Sequence, residues 1–133
     1  QGIDFKELMG KDHADSFLLL ESGRADAFVM DASILAANIS KSKNPKDYAI
    51  VGPELSVEPI ACMVRKGDTA FLKAVNDSIE RQIKDGSLAK LYDKWMVQPV
   101  PPNNVPLGLP LSDATKAAWA NPNNKPAEDF VKK

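Results

Sequence analysis

The chain has 133 residues, 44% of them hydrophobic and 26% charged, enough apolar side chain for one globular domain and unlike a disordered composition. Lys and Arg total 17 against 18 Asp and Glu, a net charge of −1, and no basic block or basic-aromatic interleaving marks a nucleic-acid partner. No apolar run approaches the about 20 residues of a membrane-spanning helix. A single His and a single Cys offer no metal-ligand spacing and no internal disulfide.

The start, Gln1-Gly2-Ile3-Asp4-Phe5, lacks Met and runs straight into a candidate strand, so the chain reads as a mature or truncated fragment. Phe5–Met9 is that strand, ended by Gly10 and Lys11. The next stretch organises the rest. Phe17, Leu18, Leu20 and Glu21 fit one to two turns of an amphipathic helix, with Asp12 or Asp15 available as its N-cap. Gly23 can end the helix, because glycine takes the left-handed conformation without a Cβ clash. Ala27-Phe28-Val29-Met30 is a short continuous apolar run of the kind that forms a strand covered on both faces, and it ends on Asp31.

Asp31 to Ile39 reads as a second helix with Ile34, Leu35 and Ile39 facing inward. A polar connection from Ser40 to Asp47 leads to a strand at Tyr48–Val51, closed by Gly52-Pro53. The alternation β-α-β-α-β is that of a sheet with crossover helices. Pro59–Val64 is the next strand, with Pro59 tolerated at its first position and Cys62 an inert buried residue within it. Asp68 or Thr69 caps a long helix from about Ala70 to Lys84, whose stripe is Leu72, Val75, Ile79 and Ile83. Asp85-Gly86-Ser87 stops it and starts another, Leu88–Trp95, with Leu88, Leu91 and Trp95 on one face. From Gln98 the composition turns Pro-rich and predicts a tail running over a surface. A short helix near Ser112–Trp119, docked by Trp119, interrupts that tail. Asn121 to Lys133 is polar.

A catalytic reading has little to build on. There is no phosphate loop, and one His without geometry does not make a nucleophilic constellation. Binding of a small charged molecule has more. Asp31 at the carboxyl end of a buried strand can hold an ammonium through a charge-assisted hydrogen bond. His13, at another strand-to-helix boundary, can donate to a carboxylate. The pattern alone leaves both residues a plainer role: Asp31 as the N-cap of the helix that follows it, and His13 as a loop residue.

Lys11-Asp12-His13-Ala14-Asp15-Ser16-Phe17, followed by Leu20-Glu21-Ser22-Gly23-Arg24-Ala25-Asp26-Ala27-Phe28-Val29-Met30-Asp31, resembles the glutamate/aspartate-binding proteins of bacterial ABC transporters, which are type II periplasmic binding proteins. Cys62-Met63-Val64-Arg65-Lys66, Tyr92-Asp93-Lys94-Trp95 and Pro99-Val100-Pro101-Pro102-Asn103 are similar to the same family, so the resemblance covers nearly the whole chain. The Gly-Arg-x-Asp-Ala element is general to amino-acid binders of this type, whereas Asp-His-x-Asp-Ser-Phe is narrower and points to acidic amino acids.

The resemblance implies a two-lobed α/β fold, with crossover helices on mixed sheets and a Pro-rich C-terminal tail. Residues 1–57 would be the later part of lobe 2 and 58–61 the second hinge strand. Residues 62–97 would be the returning part of lobe 1, and 98–133 the tail, with its short helix packing on lobe 1. It further implies a periplasmic, non-enzymatic protein without cofactor or metal. Such a protein captures glutamate or aspartate for the membrane permease of an ABC transporter, and its parent carries a signal peptide. By the same resemblance Asp31 holds the ligand's α-ammonium and His13 contacts the acidic ligand, while the arginines for its carboxylates lie upstream. A chain holding a piece of each lobe would associate with itself or with the missing N-terminal half. A dehydratase-like enzyme on the same fold, or the sensing domain of a receptor, is the alternative.

Overall fold

The computed structural model describes residues 4–53, 55–56, 59–101 and 103–129. Among these residues the α-helices are α1 (His13–Glu21), α2 (Ala32–Lys41), α3 (Thr69–Lys84), α4 (Ser87–Tyr92) and α5 (Asp113–Ala120). The sheet they contain is a two-stranded antiparallel ladder of β1 (Pro99–Val100) and β2 (Val105–Pro106), with Val100 opposite Val105.

Side chains set the helix starts where the sequence predicts them. Asp12 accepts the N–H of Asp15 at 2.8 Å and so satisfies a first-turn donor of α1. The Asp15 carboxylate in turn accepts the N–H of Lys11 at 2.9 Å, a reciprocal arrangement that fixes the chain on both sides of the cap. Gly10 lies against this turn so closely that a Cβ built on it would meet the Ser16 Oγ at 2.5 Å and the Ser16 backbone nitrogen at 2.6 Å. Gly23, at φ +69°, reverses the chain after α1, and the N–H of Arg24 returns to the carbonyl of Leu19 at 2.9 Å.

The strands expected at Phe5–Met9, Ala27–Met30, Tyr48–Val51 and Pro59–Val64 are not formed among the described residues. A strand exists only through ladder hydrogen bonds to a neighbour, and these runs find none there. Apart from Phe28 and Tyr48, many of their apolar side chains stay in solvent, as Val51 at 84% and Met63 at 98% exposure illustrate. Cys62, expected to be buried inside such a strand, is exposed for the same reason.

What these residues bury is an aromatic cluster. Phe17 of α1 is 6% exposed, and its ring lies 6.5 Å from that of Phe28 and 5.2 Å from that of Tyr48, tilted against both. Tilted pairs at such separations are favoured by the ring quadrupoles. Ala36 of α2 is buried too, and α1 and α2 are in contact. Ile34, Leu35 and Ile39 are half-buried rather than enclosed.

The second half is built from local bonds. Asp68 caps α3 by accepting the N–H of Phe71 at 3.0 Å. Lys73 and Asp77 form an exposed i,i+4 ion pair at 2.7 Å, whose contribution solvent keeps small. The break between α3 and α4 falls at Gly86, φ +76°. Ser87, expected as the new cap, is instead the first helical residue, its N–H taken by Asp85 at 2.8 Å. After α4 the chain widens into a π-turn, Asp93–Val97, over which the Lys94 ammonium sits 5.0 Å from the centre of the Trp95 ring. Ser112 caps α5, and the Trp119 ring of that helix meets the Tyr92 ring of α4 edge-on at 6.0 Å.

The chain exposes 11107 Å², where a compact monomer of 14.5 kDa exposes about 6,900 Å². The helices are in place, but much of the apolar surface meant to be covered by a sheet is not.

Candidate functional site

The two residues singled out from the sequence each head a helix. His13 is the first residue of α1, immediately after the Asp12 cap, and its imidazole is exposed. The neighbouring carboxylates of Asp12 and Asp15 are committed to the backbone N–H groups of Asp15 and Lys11. The His13 imidazole makes no such bond among the described residues and is open to solvent.

Asp31 occupies the N-cap position of α2, so the plainer reading placed it correctly in the chain. Its carboxylate, however, makes no capping hydrogen bond. The cap works through the main chain alone: the Asp31 carbonyl accepts the N–H groups of Ile34 and Leu35, both at 2.9 Å. Among the described residues the carboxylate has no hydrogen-bond or salt-bridge partner, and it sits exposed at the positive end of a helix, where an anion is favoured. A carboxylate so placed can accept a charge-assisted bond from an ammonium.

The structure brings the two residues to the starts of two touching helices but joins them by no hydrogen bond or ion pair. A depression of about 230 Å³ lies elsewhere, between Ala37, Ser40 and Lys41 of α2 and the hairpin residues Val100 and Val105, with Trp95 in its wall. Neither His13 nor Asp31 lines it. No group of His, Cys, Asp and Glu among the described residues is arranged to hold a metal ion.

The residue that sequence reasoning assigned no part at this site is Tyr48. Its ring packs on Phe17 as well, and removal from water pushes its hydroxyl above the ordinary tyrosine range, with the Glu21 and Asp47 carboxylates adding to the shift. The available signal was three aromatic side chains, at 17, 28 and 48, on either side of α2 in a stretch that holds no other between Asp12 and Tyr48.

Two helix starts, on helices in contact, thus present an imidazole and a carboxylate that makes no capping bond, groups whose chemistry suits a small charged solute. Residues 5–98 match the bacterial extracellular solute-binding proteins, family 3, and the chain belongs to that family. It is 45% identical over 123 residues to the L-glutamate/L-aspartate-binding protein of Pseudomonas aeruginosa, covering 92% of this chain and 41% of that protein. To the glutamate/aspartate import solute-binding protein of Escherichia coli it is 42% identical over 125 residues, again 41% of that protein's length. The ABC transporter glutamine-binding protein of Bacillus subtilis is 33% identical over 86 residues, 65% of this chain and 30% of that protein. The chain thus spans about two fifths of the length of the first two of these relatives. The family has a two-lobed α/β fold, of which this helix-rich chain is a piece. Its relatives are named as solute-binding transport proteins rather than enzymes.

Proposed function

We propose that the whole protein captures glutamate or aspartate in the periplasm and delivers it to the membrane permease of an ABC importer. In this reading Asp31 anchors the ligand's α-ammonium and His13 contacts the acidic ligand. The carboxylates go to arginines in the three fifths of the relatives' length that this chain does not span. The observation that carries it is the Asp31 carboxylate: a residue at a cap position whose side chain does no capping is available for a ligand.

The proposed division of the chain follows the same reading, with 1–57 in lobe 2, 58–61 as a hinge strand, 62–97 in lobe 1 and 98–133 as the tail. The runs Ala27–Met30, Tyr48–Val51 and Pro59–Val64 are then strands whose neighbours belong to the rest of the protein. Their apolar exposure supports this, because such side chains are rarely left in solvent as contiguous surface.

The test is calorimetry on the full-length protein with L-glutamate, L-aspartate and L-glutamine. The two acidic amino acids are expected to bind tightly and glutamine far more weakly. Preferred binding of glutamine or of a basic amino acid would overturn the assignment.

A further inference from the structure

We propose that Phe17 is a positioning residue for the amino-acid site, its ring tying the start of α1, which carries His13, to the run that delivers Asp31. The inference rests on His13 and Asp31 being the ligand contacts. Phe17 stands four residues after His13, one turn along α1, so the packing that holds Phe17 also fixes the backbone of the turn that carries the imidazole. Phe28, the first ring it touches, stands three residues before Asp31. Tyr48 packs on it from a third segment, its ring centre 5.2 Å away.

The cluster is the one place where the described residues enclose a large side chain. Phe17 is 6% exposed, and the other buried residue, Ala36, is too small to fill the space a lost ring would leave. Binding sites need their contacts fixed to within about 0.5 Å, and groups are fixed that well only when packing holds them. The cap bonds of Asp12 and Asp15 set the angle of α1 at one end but reach only the Lys11–Asp15 turn. The aromatic contact is what relates that turn to Asp31. A side chain that acts in this way affects affinity through another residue, and that gives it a signature which a general contribution to stability lacks.

The experiment uses the full-length protein and L-glutamate as the probe, with affinity from calorimetry and folding from thermal melts. Phe17→Leu keeps most of the apolar volume and removes the ring. It is expected to melt cooperatively and to bind about tenfold more weakly, the size of coupling seen between residues in contact. In a His13→Ala background the same change is expected to cost clearly less, because the helix start it positions no longer carries a contact. Tyr48→Phe, which keeps the ring, should retain wild-type affinity. Tyr48→Leu should reproduce the loss, and it provides the same test from a half-buried site if Phe17→Leu does not fold. A Phe17→Leu affinity within twofold of wild type, or an equal loss with and without His13, would overturn the positioning role. If Asp31→Ala also leaves glutamate affinity unchanged, the reading of the site fails together with it. A loss in Asp31→Ala with none in Phe17→Leu refutes the positioning role alone.

Discussion

The stretch from Asp12 to Tyr48 and the stretch from Asp68 to Ala120 are both helical, yet they are stabilised differently. The first contains both residues buried among those described, Phe17 and Ala36, and joins three segments distant in sequence through one aromatic cluster. The second contains α3, the longest helix, with a clear apolar stripe, and buries none of it: Ile79 is 37% exposed. Its order comes from caps and i,i+4 ion pairs between neighbours in the chain, with the edge-to-face contact of Tyr92 and Trp119 the one aromatic pair across it among the described residues. Amphipathicity states which face a helix would bury, but only a partner makes the burial happen. The first stretch carries some of its own partners, and in the proposed architecture the second receives them from the part of the protein that this chain does not span.

The comparison is tested most strongly at Asp31. In the full-length protein Asp31→Ala should weaken glutamate binding by several kcal/mol, since it would leave a buried ammonium unpaired. The melting temperature should change little, because the side chain makes no capping bond. Calorimetry with a parallel melt reads both. Unchanged affinity with a melt lowered by a cap's worth, about 0.5–2 kcal/mol, would return Asp31 to a purely structural role.

The second effect concerns the 133-residue chain alone. Unpaired strand-forming runs and the open stripe of α3 are templates for association, so light scattering should find dimers or larger species rather than a monomer. A compact monomer with a sharp cooperative melt would show that the two stretches complete each other and would end the lobe assignment.

A smaller effect is expected at His13. His13→Ala should reduce affinity for glutamate and aspartate more than for glutamine, measured by competition on the full-length protein. Equal losses for all three ligands would mean that His13 shapes the site without reading the charge of the ligand side chain.

The smallest effect separates the local chemistry of the second stretch from the packing of the first. The Ser87 hydroxyl and N–H hold the Asp85 carboxyl below its ordinary range, and Lys116 does the same for Asp113. A carboxyl lowered in the folded state stabilises it above the unfolded value of 3.8, and that gain is lost as the pH falls through the lowered folded value. Thermal melts should therefore lose a small increment below about pH 4, small because both groups lie in solvent. Asp85→Asn should flatten that slope. An unchanged acid slope would show that these bonds contribute nothing measurable.

The helices were legible in the sequence because their signals are local. Asp12, Asp68 and Ser112 are each a cap followed by an apolar period, and each accepts the expected N–H. Strands at Ala27–Met30 and Pro59–Val64 were legible only as candidates, since an apolar run does not state which strand it pairs with. The same gap misplaced Cys62, whose burial depended on a strand that does not form among these residues. The site was legible by pattern only as polar residues at two element boundaries. The resemblance, not the periodicity, distinguished His13 and Asp31 from ordinary loop and cap residues. The aromatic cluster was missed because Phe17, Phe28 and Tyr48 are 11 and 20 residues apart and nothing local relates them.

Gly10 has a consequence for how far the chain can vary around its site. A side chain there would have to occupy the space of the Ser16 backbone, so the loop before α1 would be pried off the turn that presents His13. Ala14, by contrast, is exposed and free to change. The signature that marks this turn therefore begins two residues ahead of its first acid, at a position with no side chain. Any redesign of ligand choice through residues 11–16 has to leave that one blank space alone.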